Sequence, residues 1–273
     1  MSSKLLCPLC ETPLVPLSIE FAKCPQDKTV IHLNYQATHY EENYFNSEYK
    51  NQYGKSYLDD RENLNRKNQE RVHRMLKYFS PQTHPRLCEV GASAGFFLEV
   101  MRESGFDCEG WEISSVMTEY AKQSGLNMKR QDFFSGVTAH QLKRESPFDI
   151  LAFLYVLEHF PDQKQTWESI RGLLRPGGIL LLALPSTHGP TFYFNRLQWI
   201  KTHPKDHAID YSPESLKRVG KQFGFKPLAF FSEGIHPNRF PLGGVPILKS
   251  FYALFQKKTA FSDTFFAVLK KNS

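Results

Sequence analysis

From residue 86 onward the chain alternates short apolar runs with amphipathic stretches. RLCEV (86–90), FDCEGWEI (106–113), FDILAFLYV (148–156) and ILLLALP (179–185) read as strands, and NMKRQDFF (127–134) as a shorter, more polar one. Between them lie FFLEVMRES (96–104), SSVMTEYAKQS (114–124) ending at Gly125, and WESIRGLLR (167–175), stopped by Pro176-Gly177-Gly178; all three read as helices. SPESLKRVGKQFGF (212–225) opens with a Ser-Pro-Glu helix start and ends at Gly224. PLGGVPILKSFYALFQ (241–256) suggests a loop and short helix, and TFFAVLKK (264–271) a last strand. Strands apolar on both faces, alternating with helices, are the pattern of a parallel sheet covered on both sides, so the fold class is a doubly wound α/β sheet.

Two segments precede this pattern. Residues 1–35 are rich in Cys, Pro and short apolar steps, which suggests a small knuckle of turns. Residues 36–84 are polar and Tyr-rich, and Leu64, Val72, Met75, Leu76 and Phe79 fall at roughly helical spacing, giving a helical lead-in. The remainder, 85–273, reads as one domain with a substrate-side insertion around 186–258. With 14% aromatic and 41% hydrophobic residues the chain is not of disordered type. No run approaches the roughly 18 apolar residues of a membrane span. The first residues show no basic-then-apolar export pattern, and five unevenly placed cysteines do not make a disulfide framework, so a reducing cytoplasm is expected. The formal charge of +6 is spread along the chain without a Lys/Arg block, which permits a nucleic-acid partner without calling for one.

The chemistry concentrates where the first strand of the alternation meets the first helix, at Glu89-Val90-Gly91-Ala92-Ser93-Ala94-Gly95-Phe96. A glycine turn there brings backbone N–H groups and a helix N-terminus close to a polar ligand. The dinucleotide pattern G-x-G-x-x-G fails, since Ser93 and Phe96 stand at its second and third glycines. The turn also spells G-x-S-x-G, a nucleophile elbow with Ser93 as nucleophile and Asp206 and His236 following in order. That α/β-hydrolase alternative lacks an earlier strand for an oxyanion-hole loop.

More of the chain fits a third reading. E-x-G-x-x-x-G at 89–95, Glu112 closing the second strand, Asp132-Phe133 at the end of the third, LAFLYVLEHF at 151–160 and LLRPGGILLLALP at 173–185 occur in order. Together they resemble the class I S-adenosylmethionine-dependent methyltransferases of small-molecule type, as does DHAIDYSPESLKRVGKQFGF at 206–225. The resemblance implies a Rossmann-like, mostly parallel seven-stranded sheet, with S-adenosylmethionine held by Glu89, Gly91, Ala92, Ser93, Gly95, Phe96, Glu112, Ile113, Asp132 and Phe133. It places Leu154 and Tyr155 beside the methyl group. It makes His159, with Glu158, the candidate proton acceptor for O-methylation of a small-molecule acceptor. Related quinone-pathway O-methyltransferases have Glu-x-x-Glu-His; here Tyr155 replaces the first acid. His203, His207 and Tyr211 are secondary candidates, and Tyr44, Tyr49 and Tyr53 are candidates for the cofactor or substrate entrance.

Cys7-Pro-Leu-Cys10 is half of a zinc site, followed by Cys24. Asp27 completes a tetrahedral set, with His32 as the other fourth ligand, and such a zinc would be structural. A zinc knuckle ahead of a methyltransferase domain also occurs in ribosomal-RNA base methyltransferases, which is the alternative function; no basic-aromatic stripe supports it.

Overall fold

A computed structural model describes residues 5–38, 54–79, 85–143, 145–234 and 236–273. The chain divides into two compact units. The first comprises Met1–Ala37, Tyr155–Glu168 and Leu182–Asn272; the second comprises Thr38–Leu154, Ser169–Leu181 and Ser273.

The first unit opens with three short strands, β1 (Val15–Pro16), β2 (Phe21–Lys23) and β3 (Val30–His32), paired antiparallel in sequence. With so few residues per strand, side-chain contacts must hold this element. Phe21, Cys24 and Val30 are buried.

The second unit begins with α1 (Arg61–Met75) and continues as β4 (Arg86–Val90), α2 (Phe96–Glu103), β5 (Asp107–Glu112), α3 (Ser115–Gln123), β6 (Met128–Arg130), α4 (Phe133–Leu142) and β7 (Phe148–Leu154). β4 pairs in parallel with both β5 and β7, and β5 with β6. Ile150, Leu151, Ala152 and Phe153 are fully buried, as their unbroken apolar run requires. Arg61 on α1 pairs with the buried Glu99 of α2 at 2.8 Å, fixing the lead-in helix against the first crossover helix.

One strand differs from expectation. NMKRQDFF forms only the three residues of β6, because the Asp132 carboxylate accepts the Ser135 N–H at 3.0 Å and caps α4. Gly136 then lets α4 press on β5, since a Cβ there would stand 2.6 Å from the Trp111 ring.

The rest of the chain runs through α5 (Gln163–Leu173), β8 (Leu174–Pro185), α6 (Pro190–Phe194), α7 (Arg196–Thr202), β9 (Ile209–Asp210), α8 (Pro213–Gln222), β10 (Phe225–Glu233), α9 (Pro246–Thr259) and β11 (Thr264–Lys271). β9 joins β3 to complete a four-stranded sheet, and the large sheet has the order β10-β11-β8-β7-β4-β5-β6. The expected seven-stranded, mostly parallel α/β sheet is therefore present. Its seventh strand, β10, carries no alternating or fully apolar signature. It is half-buried along most of its length and pairs antiparallel with β11. α9 is longer than the short helix expected, with Ile247 and Phe251 exposed. No helix among the described residues is long and apolar enough to cross a membrane.

Candidate functional site

In the second unit, β4 ends at Val90 and the chain turns through three left-handed residues, Gly91 (φ 67°), Ser93 (φ 47°) and Gly95 (φ 78°). Glycine is required at 95 twice over, because its φ disfavours a side chain and an added Cβ would lie 2.3 Å from Leu126 Cδ1. Ser93 has no such licence, and its left-handed backbone is stabilised from outside. Its N–H donates to Glu112 Oε2 at 2.8 Å, while Glu112 Oε1 accepts the Ser114 N–H at 2.7 Å. The carboxylate at the end of β5 is thereby fixed in position. Burial pushes its pKa up, and the two backbone donors offset part of that shift.

Glu89 is 3% exposed and its Oε2 has no hydrogen-bond partner among the described residues. Burial, opposed by Arg71 and reinforced by Glu112, holds its pKa well above the usual carboxylate range. A buried carboxyl with an open oxygen, beside a turn shaped for close backbone approach, fits a ligand bearing an amino group. Phe96 is fully buried and stacks on Tyr57 at 5.4 Å, and Ala92 and Phe133 are buried, the latter against Trp111 and Phe153. Ile113 is exposed, Asp132 is exposed at its helix cap, and Leu154 is half-buried at the end of β7.

The first unit holds a second polar concentration. Tyr155 adopts φ 61° and donates its hydroxyl to Glu233 Oε2 at 2.9 Å. The following turn, Leu157–His159, carries Glu158 and His159. His159 Nδ1 lies 2.9 Å from the Asp206 carbonyl and 3.4 Å from its carboxylate, which assigns the ring proton to Nδ1 and leaves Nε2 as the basic nitrogen. Burial, with the His207 ring adding to it, lowers the His159 pKa to about 4. Glu158 is 1% exposed and neither carboxylate oxygen has a hydrogen-bond partner among the described residues. Burial raises its pKa to about 7.

In the same unit, Cys7 and Cys10 Sγ lie 3.0 and 3.3 Å from Asp27 Oδ2, and Cys10 Sγ lies 3.5 Å from Cys24 Sγ. Thr29 donates to the other carboxylate oxygen and turns Oδ2 toward the thiols. A tetrahedron with ~2.3 Å Zn–S bonds has edges of about 3.7 Å, so these four atoms are spaced to take an ion with modest adjustment. His32 does not join them. Its Nδ1 faces the His207 carbonyl at 3.3 Å.

A model of the methyltransferase domain family matches residues 61–229, well over half of the chain. The chain belongs to that family. A ubiquinone biosynthesis O-methyltransferase of Bordetella avium is 26% identical over 152 residues, covering 52% of this chain and 62% of that protein, so less than two thirds of the relative's length is matched. Among solved structures, a SAM-dependent methyltransferase from Archaeoglobus fulgidus is similar with a TM-score of 0.57 at 15% identity, over 83% of this chain and all of that one. The magnesium protoporphyrin IX methyltransferase of Synechocystis, solved with SAH, gives 0.55 at 13% identity, over 84% and 97%. These likenesses establish the methyltransferase fold and leave the hydrolase reading of Ser93 without support.

Glu89 lies in β4, Gly91, Ser93 and Gly95 lie in the turn that follows it, and Glu112 ends the neighbouring strand β5, joined to the turn through the Ser93 N–H. Tyr44, Tyr49 and Tyr53 lie outside the described residues. Asp206 and Asp210 were not singled out as partners of the histidines. The signal was there in HPKDHAID (203–210), which spaces His, His and Asp over eight residues, but it carries meaning only once folded beside Glu158.

Proposed function

We propose that the chain is an S-adenosylmethionine-dependent methyltransferase acting on a hydroxyl of a small-molecule acceptor. The observation that carries this reading is the buried Glu112 carboxylate, held by the Ser93 and Ser114 N–H groups at the mouth of a left-handed glycine turn. When bound, the sulfonium cofactor supplies an activated methyl group. Glu112 accepts hydrogen bonds from the ribose hydroxyls, a role suited to a carboxylate whose orientation is already set. The turn from Gly91 to Gly95 admits the cofactor close to the backbone, and the open Glu89 oxygen takes the amino group. Asp132 and Phe133 serve the adenine end, and Leu154 and Tyr155 the methyl end. His159 accepts the acceptor's proton at Nε2 while Asp206 holds the ring. The ring is neutral at any pH well above about 4 and so is ready to receive it. The acceptor is expected to be partly apolar, since the segment 186–258 is aromatic.

The Cys7–Cys10–Cys24–Asp27 cluster binds zinc in this reading. Burial raises the Cys7 thiol far above its ordinary pKa, so its thiolate forms only when an ion replaces the proton. Titration calorimetry with S-adenosylhomocysteine tests the main reading: saturable 1:1 binding is expected, and no binding defeats it.

A further inference from the structure

We infer that His203, His207 and Asp210 form a binding site for a divalent transition metal, separate from the cysteine cluster. His203 Nε2 lies 3.2 Å from one Asp210 oxygen and His207 Nδ1 lies 3.7 Å from the other. The three ligand atoms all fall within 4.8 Å of one another. A tetrahedral ion with ~2.0–2.1 Å bonds to nitrogen and oxygen has ligand–ligand edges of about 3.4 Å, close to the 3.2 Å between His203 Nε2 and Asp210 Oδ2.

The decisive feature is orientation. His203 Nε2, His207 Nδ1 and Asp210 Oδ2 are buried, close together, and without a hydrogen bond of acceptable geometry among the described residues. Two imidazoles pairing with a carboxylate as a structural ion pair would aim N–H bonds at its oxygens. Here the contacts of 3.2 and 3.7 Å lack that alignment. The Asp210 side chain is 2% exposed and that of His203 4%, so water does not serve them instead.

The surroundings are those of a metal site. Asp210 is fixed by β9, paired with β3 through Val30. His32 Nδ1 meets the backbone carbonyl of His207, and Phe21 and Trp199 pack against His203 with ring centroids 4.9 and 4.5 Å away. Such an apolar wall limits solvent and holds the rings in place. Glu158, whose two oxygens are buried without partners, belongs with His159 and His207 to an adjoining group of potential ligands. A divalent ion next door supplies the counter-charge that this buried carboxylate lacks. Two imidazoles and one carboxylate favour Zn²⁺ or its neighbours over Mg²⁺ or Ca²⁺, which take all-oxygen sets. Three protein ligands leave a fourth position open, and His207 meets His159, the candidate proton acceptor, edge to face with 4.8 Å between ring centroids.

The test is a Co²⁺ titration of the full chain, stripped of metal under reducing conditions. We expect an equivalent of Co²⁺ with ligand-field bands but no thiolate-to-metal charge-transfer band, alongside any that binds the cysteines with that band. Asp210→Asn and His203→Ala should weaken uptake of the band-free equivalent by more than the roughly 10–100-fold that loss of an outer partner costs, leaving the charge-transfer band intact as a folding control. The inference is overturned if all Co²⁺ taken up carries the thiolate band, or if the band-free equivalent binds both variants as tightly as the wild type. Should either variant fail to fold, X-ray absorption on zinc-loaded wild type decides: imidazole scattering supports the site, and a pure sulfur and carboxylate shell refutes it.

Discussion

The turn at Gly91–Gly95 and the histidine cluster around Asp210 are made of different materials. The turn is a backbone device. Its left-handed residues, its N–H groups and the carboxylate that receives one of them come from two adjacent strands, and its shape is set before any ligand arrives. The cluster is a side-chain device. Glu158, His159, His203, His207 and Asp210 come from turns, a helix end and a two-residue strand, and all but His159 leave buried polar atoms without a hydrogen-bond partner among the described residues. Beside the turn the Glu89 oxygen stands open, whereas in the cluster several converging side chains do, and each such atom carries an electrostatic cost until something binds. The first therefore suits a cofactor that comes and goes, the second a proton or an ion.

The largest effect expected is on turnover. Replacing His159 by Ala removes the proton acceptor and should lower kcat by about 10²–10⁴, the usual contribution of general base catalysis, with affinity for S-adenosylhomocysteine unchanged. Equal losses of turnover and affinity would erase the distinction between the two regions. Next, Glu112→Gln keeps the shape but removes the charge, and should weaken S-adenosylhomocysteine binding by about 100-fold, the equivalent of two charge-assisted hydrogen bonds reduced to neutral ones. Unchanged affinity in calorimetry would remove Glu112 from the cofactor site. Gly95→Ala strains a left-handed residue and drives a methyl group into Leu126. It should cost about 2–3 kcal/mol of stability, read from the denaturant midpoint.

How far each region could be read from the sequence follows from the same contrast. The strands β4, β5, β7 and β8 and the glycine turn were legible because their signals are local: apolar runs of strand length, and glycines at a strand end. Glu112 was legible because it closes its own strand. β10 was not, since an edge strand paired with β11 is held by partners remote in sequence rather than by its own pattern. Asp132 follows the strand and caps a helix, because a single capping oxygen outweighs the weak strand preference of a polar run. The partnership of Asp206 with His159 spans 47 residues and has no local signature.

The pH dependence separates the two acids and bases of the side-chain cluster. If His159 is the acceptor, turnover falls only as pH drops through about 4, where its ring takes up a proton. A limb near pH 7 that Glu158→Gln abolishes would move the role to Glu158, whose pKa is about 7. Stability gives an independent reading. A native histidine with a lowered pKa refuses a proton that the unfolded chain accepts, so stability is lost as pH falls from about 6.5 to about 4. Glu158, with a raised pKa, keeps a proton that the unfolded chain releases, so its contribution is lost as pH rises from 4.5 to about 7. The two oppose each other between pH 4.5 and 6.5. Removing the second with Glu158→Gln should leave an unfolding midpoint that falls steadily with acidification below 6.5, where the wild type is flatter.

The smallest expected change is the sharpest test of separateness. Every thiol of the cysteine cluster belongs to the first unit, and Glu89, the glycine turn and Glu112 to the second. The thiols share no hydrogen bond with the turn among those the structure records, and sites without shared partners behave additively. Cys7→Ser should therefore destabilise the knuckle, whose short strands have little core of their own, and lower the unfolding temperature as zinc is lost. Affinity for S-adenosylhomocysteine should stay within about twofold. A large loss of affinity would mean that the metal organises the cofactor region as well. The two regions would then act as one, and the zinc would count among the groups that set cofactor affinity.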